Sequence, residues 1–326
     1  MSKEAGSSQL LRINFIKNSI KSVLTQIYLI GDVLNEIIKA HILAIIAIIL
    51  VAGSFLASMK ISGVIDPISL TLLRFLLAFL ILTPFIVFNK NKVSSVIKVF
   101  PKAMIVSLFY TLYFIGILKA LEYTTVLNTG SIYTLVPLMT AILCIFFFKE
   151  KIPLKQLFVY ILGIISTCIV VFNADINLLL SLNLNKGDAI FILASFCMAL
   201  YPIFIKILYS QKDDPLVLAF TTILGGILWM TITIQILGIP YEWNKVELNH
   251  LYALLYLVIG ATIITLFLYQ KATLVLGAKK IMAYIYLNPA IVAISMFLFE
   301  KQTISLGVIV GIFISTIATI ILLKEK

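Results

Sequence analysis

Long apolar runs separated by short polar breaks make up most of this chain. Ten runs are long enough to matter, at approximately 41–60, 67–89, 102–121, 125–148, 154–172, 187–208, 215–238, 250–270, 276–299 and 304–323. A membrane span needs about 20 apolar residues. The breaks carry turn or charge signals: Asp66-Pro67, Asn89–Asn91, Lys149–Pro153, Asn183–Asp188, Asp213–Pro215 and Pro240–Asn249. In lipid every backbone N–H and C=O needs an internal partner, so such runs fold as helices. The pattern predicts an all-α polytopic membrane protein with ten transmembrane helices.

Residues 1–40 read differently. Ile13, Ile16, Ile20, Leu24, Ile27, Leu34 and Ile38 recur at roughly helical spacing, flanked by Arg12, Lys17 and Lys21. This pattern predicts a cytoplasmic amphipathic extension lying on the membrane surface. Asp32, Asn35 and Glu36 argue against an eleventh span there, because a charge at mid-bilayer costs roughly 3 kcal/mol on insertion scales. The first long apolar run starts too late, and is too long, for a signal peptide.

Composition strengthens the membrane reading. Hydrophobic residues make up 62% of the chain and charged residues only 12%. A soluble protein has about a quarter of its residues charged. The net charge of +11 does not indicate nucleic acid, because the lysines sit in the short breaks between apolar runs. On alternate sides of ten spans, Lys and Arg number 19 against 5, with Arg74 left inside the second run. By the positive-inside rule the richer side is cytoplasmic. Both termini then lie inside, which requires an even number of spans. This fits multi-pass insertion in a cell inner (plasma) membrane.

Catalytic chemistry finds no footing. Cys144, Cys168 and Cys197 lie within apolar runs without metal-ligand spacing, and neither a zinc-protease, P-loop nor hydrolase motif occurs. His41 and His250 sit where polar stretches meet apolar runs. The expectation is a protein that is not an enzyme and needs no cofactor.

The end of the first half is echoed near the C-terminus. Residues 128–172 run through Pro137 and Glu150, and 283–323 run through Pro289 and Glu300. The intervals differ, thirteen positions against eleven. Duplication implies halves of five spans, 41–172 and 187–323. An odd number turns the second half upside down in the membrane. Inverted repeats recur in secondary transporters. Glu150 would then face the cytoplasm and Glu300 the outside.

Several stretches resemble the EamA-type branch of the drug/metabolite transporter superfamily. They are 53–82, with Gly53, Ser54, Pro67 and Arg74, then 119–156, 187–208 and 251–323. The order and spacing of these stretches carry the resemblance more than any one motif. It implies two inverted EamA-like repeats and export of a small amino-acid-like or drug-like metabolite by alternating access. It leaves two alternatives: uptake of a larger metabolite such as a nucleotide derivative of the S-adenosylmethionine type, or a passive solute channel. Expected partners are a small molecule, the lipid bilayer and a coupling proton or cation, with the protein a monomer or homodimer.

Candidate site residues follow from spacing. Asn128, Ser131 and Thr134 share one slowly turning face before Pro137. A proline frees a carbonyl one turn earlier. Tyr284, Asn288 and Ser295 form the counterpart around Pro289. Tyr110, Tyr113, Tyr201 and Tyr256 lie near mid-span, away from the usual interfacial belt. Such a lining suits a neutral or zwitterionic solute. Interhelical hydrogen bonding, worth roughly 0.6 kcal/mol each, is the competing use of these groups. Arg74 is read as snorkelling outward, seven positions after Pro67. Glu150 and Glu300 are read as helix-end anchors beside lysines.

Overall fold

A computed structural model describes residues 34–324, apart from 55, 56, 59, 62, 182–184 and 302 and the side chains of 126, 127 and 300. The predicted amphipathic helix therefore lies outside the described residues, apart from 34–40, which open the first span. Ten helices are long and apolar enough to cross a membrane. They are α1 (Leu34–Ser54), α2 (Pro67–Val87), α3 (Lys90–Ala120), α4 (Asn128–Phe148), α5 (Leu154–Val171), α6 (Lys186–Leu208), α7 (Pro215–Leu237), α8 (Leu248–Leu276), α9 (Ala278–Phe299) and α10 (Leu306–Lys324). No strand occurs among the described residues. Ten crossings bring the two ends of the described residues, Leu34 and Lys324, to one face, called the terminal face.

Local chemistry sets several helix starts. The Asp66 carboxylate accepts from the Ile68 N–H at 2.8 Å, and Pro67 opens α2. Asp214 accepts from the Leu216 N–H at 2.8 Å, and Pro215 opens α7. Each is a side-chain N-cap followed by a proline preset for the first turn. They serve the second helix of each half, from opposite faces.

One boundary differs from expectation. The third helix begins at Lys90 rather than near 102. Its 31 residues span about 46 Å at 1.5 Å per residue, more than a hydrocarbon core of about 30 Å. Asn89 caps it by accepting from the Asn91 and Lys92 N–H groups. Lys90, Lys92 and Lys98 then ride on helix outside the lipid, where hydropathy alone sees only a polar break.

α4 and α9 are interrupted just before their prolines. α4 consists of Val126–Tyr133 and Val136–Phe148, and α9 of Ala278–Ala283, a 3-10 turn Tyr284–Leu287 and Asn288–Glu300. Pro137 and Pro289 each fall in the first turn of the later piece, where a missing N–H leaves nothing unpaired. Each later piece ends on a left-handed lysine, Lys149 (φ 56°) and Lys301 (φ 55°).

This geometry revises the sequence register. Val136 and Asn288, Lys149 and Lys301, and Leu154 and Leu306 are all equivalent, each pair 152 positions apart. The unequal Pro-to-Glu intervals disappear once the lysines are matched. Glu150 and Glu300 are therefore not counterparts: Glu300 occupies the place of Phe148. Asn128 and Asn288 are not counterparts either.

Contacts between the halves follow the duplication. α2 packs on α7, α4 on α9 and α5 on α10, so each of these helices meets its own equivalent. α3 packs along α6 and α7, and α2 reaches α8. A pseudo-two-fold axis in the membrane plane brings counterparts together in this way. Small residues permit the closest approaches. A side chain on Gly225 of α7 would come within 2.3 Å of Ser107 Oγ on α3. One on Gly311 of α10 would come within 2.9 Å of Val170 Cγ2 on α5. Gly311 of α10 thus serves packing inside the chain.

Candidate functional site

At the junction of the halves lies an aromatic cluster. Tyr110 stacks on Phe75 (6.1 Å between centroids) and sits 5.0 Å from Tyr201, which stacks on Tyr269 at 6.0 Å. Tyr113 joins Tyr133 at 5.8 Å. Five helices contribute: α2, α3 and α4 from the first half, α6 and α8 from the second. Offset and tilted ring pairs at these separations are favourable beyond their area burial. The sequence-predicted Tyr110, Tyr113 and Tyr201 are thus brought together. Tyr269, outside the mid-span set that spacing picks out, belongs with them.

Arg74 points into this cluster and is only 9% exposed. This corrects the snorkelling expectation. Its guanidinium donates to Thr262 Oγ1 at 3.1 Å and lies 5.9 Å from the Phe114 ring centroid. The cause is on α8, which widens to a π-helix over Tyr256–Ile264. Thr262 and Thr265 hydroxyls donate to the carbonyls five residues back, Leu257 and Gly260, at 2.7 and 2.8 Å. The wider turn leaves the Thr262 oxygen free to accept from Arg74. π-bulges cluster at functional sites.

Polar capacity here exceeds what the protein uses. Among the described residues, Arg74 Nε and Thr111 Oγ1 are buried without a hydrogen-bond partner, and Tyr201 Oη is set against the Gln270 side chain. Gln270 spends its amide on Thr222 Oγ1 at 2.9 Å, and Thr222 also meets Tyr209 Oη at 3.1 Å. Arg74 makes no ion pair among the described residues. A buried unpaired charge costs several kcal/mol, and an unmet buried donor about 1–3 kcal/mol. Groups left so in a native structure need a reason.

The opposite face is closed by a polar clamp. Asp188 is 1% exposed. Its carboxylate accepts from Asn128 Nδ2 at 3.0 and 3.1 Å, from the Asn185 N–H at 2.9 Å and from the Thr124 hydroxyl. Asn128 and Thr124 belong to the first half, Asp188 and Asn185 to the second. The Asn128 amide, a predicted substrate group, is therefore committed to Asp188. Sequence reasoning passed over Asp188, although Asn185 followed three residues later by Asp188 is a capping-box signature.

The terminal face carries a second cross-half contact. Lys279 Nζ of α9 meets Glu150 Oε2, just past α4, at 3.0 Å. Closer to the centre, Phe109 stacks on Phe204 at 4.6 Å and Phe79 on Phe220 at 4.9 Å. A surface cavity of about 300 Å³ opens on this face beside Lys92 and Asp214, away from the aromatic cluster.

The other predicted residues are dispersed. Tyr256 donates to the Leu50 carbonyl at 3.1 Å, over Gly53, where any side chain would strike its ring. Tyr284 pairs with His41 Nδ1 at 2.7 Å. Thr134 donates to the Ser131 carbonyl at 2.7 Å. Asn288 is 5% exposed, and its Oδ1 has no partner.

The sequence matches the EamA-like transporter family twice, over residues 38–172 and 185–324. The chain belongs to that family. The two matches correspond to its two five-helix halves. Among curated proteins it is similar to an uncharacterized transporter, YyaM, of Bacillus subtilis (strain 168), at 21% identity over 183 residues. That match covers 56% of this chain and spans 58% of the relative's length. The fold is also that of a protein known by its crystal structure, with a TM-score of 0.69 at 16% identity, covering 86% of this chain and 94% of the other. In this EamA-like transporter the aromatic cluster therefore lies where the two repeats meet.

Proposed function

We propose that the chain moves a small organic metabolite by alternating access, with the aromatic cluster as its central site. The supporting observation is the Arg74 Nε–H, buried without a partner among the described residues and set among rings contributed by both halves. A ligand is the missing partner that would satisfy it. The terminal face is taken as cytoplasmic from its excess of Lys and Arg, and the membrane as the cell's inner (plasma) membrane. Export is kept as the direction, on the family resemblance.

The two cross-half contacts act as gates in this reading. Opening toward the terminal face breaks Lys279–Glu150 and parts the phenylalanine pairs. Opening toward the other face releases Asn128 and Thr124 from Asp188. Both gates are shut here, which corresponds to an occluded state. Because the halves are inverted, exchanging their conformations exposes the same site to the other side. Asn288 remains a proposed contact through its unpaired oxygen.

Counterflow in proteoliposomes tests the reading. A metabolite library is first screened for thermal stabilisation of the purified protein. Labelled ligand should then enter faster, and saturably, when unlabelled ligand is preloaded. Linear flux without trans-stimulation would instead indicate a channel and overturn alternating access.

A further inference from the structure

We infer that Arg74 is the anion seat of the transport site, so that the solute carries a single carboxylate. This rests on the central-site reading above and adds the chemical class of the ligand.

The argument starts from what a buried arginine requires. A guanidinium has five N–H donors in a fixed fork and stays charged. Here, among the described residues, it makes one hydrogen bond, to the neutral Thr262 hydroxyl, and meets an aromatic face, Phe114. Nε–H points at no acceptor. A structural buried arginine is normally held by a carboxylate or by carbonyls. Every ion pair found among the described residues lies elsewhere. Asp188, the buried carboxylate, is already filled by four hydrogen bonds of its own.

Three features narrow the ligand. The fork matches a carboxylate, whose two oxygens can take Nε–H together with a terminal N–H. The charge available is one: Thr262, Phe114 and Tyr110 around it are neutral. A phosphate dianion would leave surplus negative charge buried, so a monoanion fits. The remaining walls are rings, with the Tyr201 hydroxyl set against the Gln270 side chain at their edge. An apolar or aromatic body with one further polar group suits them. The π-helix on α8 supports the assignment, because it presents the Thr262 oxygen that orients the guanidinium without neutralising it.

The test uses the purified full chain in nanodiscs. Thermal stabilisation is measured across aliphatic and aromatic monocarboxylates of two to ten carbons, each against its matched primary amide, with phenyl phosphate alongside. At least one carboxylate should stabilise wild type in a saturable way, and its amide should not. Arg74→Gln should raise that apparent Kd by about 10- to 100-fold, the range expected for a charged hydrogen-bonded contact, and Arg74→Lys by less. Thr262→Val, which removes the orienting bond together with the hydroxyl's bond to the Leu257 carbonyl, should weaken binding more modestly if Arg74→Gln does not fold. Equal stabilisation by acid and amide overturns the proposal, as does phenyl phosphate outcompeting every carboxylate, or no carboxylate binding at all. Saturable counterflow of a neutral solute would sink the anion seat yet leave the transport reading standing. Absence of counterflow for any stabilising ligand would sink the transport reading itself.

Discussion

Lys149 and Lys301 are structural twins, each held left-handed at the end of a proline-started helix, 152 residues apart. A side chain in this conformation costs about 1 kcal/mol relative to glycine. We predict that Lys149→Gly and Lys301→Gly each stabilise the protein by about 1 kcal/mol, a rise in melting temperature of about 2 °C for a chain of this size. Equal shifts in the two variants are expected. A rise in one and a fall in the other would break the equivalence.

Asp188 holds the two halves together on the face away from the termini. Asn128→Ala removes two of its hydrogen bonds and leaves a buried carboxylate short of donors, which should cost about 1–3 kcal/mol. Asp188→Asn should cost a similar amount, because its amide would face the Asn128 amide donor to donor. The double variant should lose less than the two single losses combined. Melting curves of the detergent-solubilised variants decide this, and strict additivity would argue against a shared clamp.

The Lys279–Glu150 pair is weaker as a fastener. Glu150 is 31% exposed at the side chain, so screening limits the pair to at most about 1 kcal/mol. Its expected effect is on access. Glu150→Gln should raise the labelling rate of a cysteine placed at Phe109 by a membrane-impermeant thiol reagent added on the terminal face. The charge-swapped double variant Glu150→Lys/Lys279→Glu should restore the slow rate. Unchanged labelling in Glu150→Gln would remove the pair from the gate.

Gly225 sits where α7 crosses α3. With Ser107 Oγ 2.3 Å from where a side chain would begin, Gly225→Val must push the two helices apart. Overpacking of this kind costs about 1–3 kcal/mol. The measurement is the yield of folded protein and its melting temperature. Compensation by Ser107→Gly in the double variant would locate the clash.

Topology is open to direct labelling. Ser94→Cys lies on the extramembrane turn of α3 and Glu247→Cys just before α8. The first should be labelled only from the cytoplasmic side, the second only from outside. The reverse result would invert the orientation taken from the charge count.

Much of this was legible in the chain itself. Ten spans, their helical state and the two repeats all follow from hydropathy and the breaks between runs. These features depend on what one helix must do in lipid, whatever its neighbours. The site was less legible. Tyr110, Tyr113 and Tyr201 stood out by mid-span position, but Tyr269 did not, because a position in sequence does not say which rings meet. Asn128, expected from spacing as a substrate contact, is a buried group whose amide is committed to a carboxylate. Its partner Asp188, in the other half, was invisible to spacing.

Arg74 shows the division most clearly. The sequence determined that a cation lies within the second span, since no apolar run of that length avoids it. Only the tertiary structure decided that it turns inward, because the alternative depended on what α8 would offer. A π-turn there presents the Thr262 oxygen, and α3 presents the Phe114 ring. Likewise the left-handed lysines put the two repeats in register, where two glutamates two positions out of step had blurred it. Periodicity and charge belong to each helix alone and are written locally; pairing between helices depends on packing across halves more than a hundred residues apart.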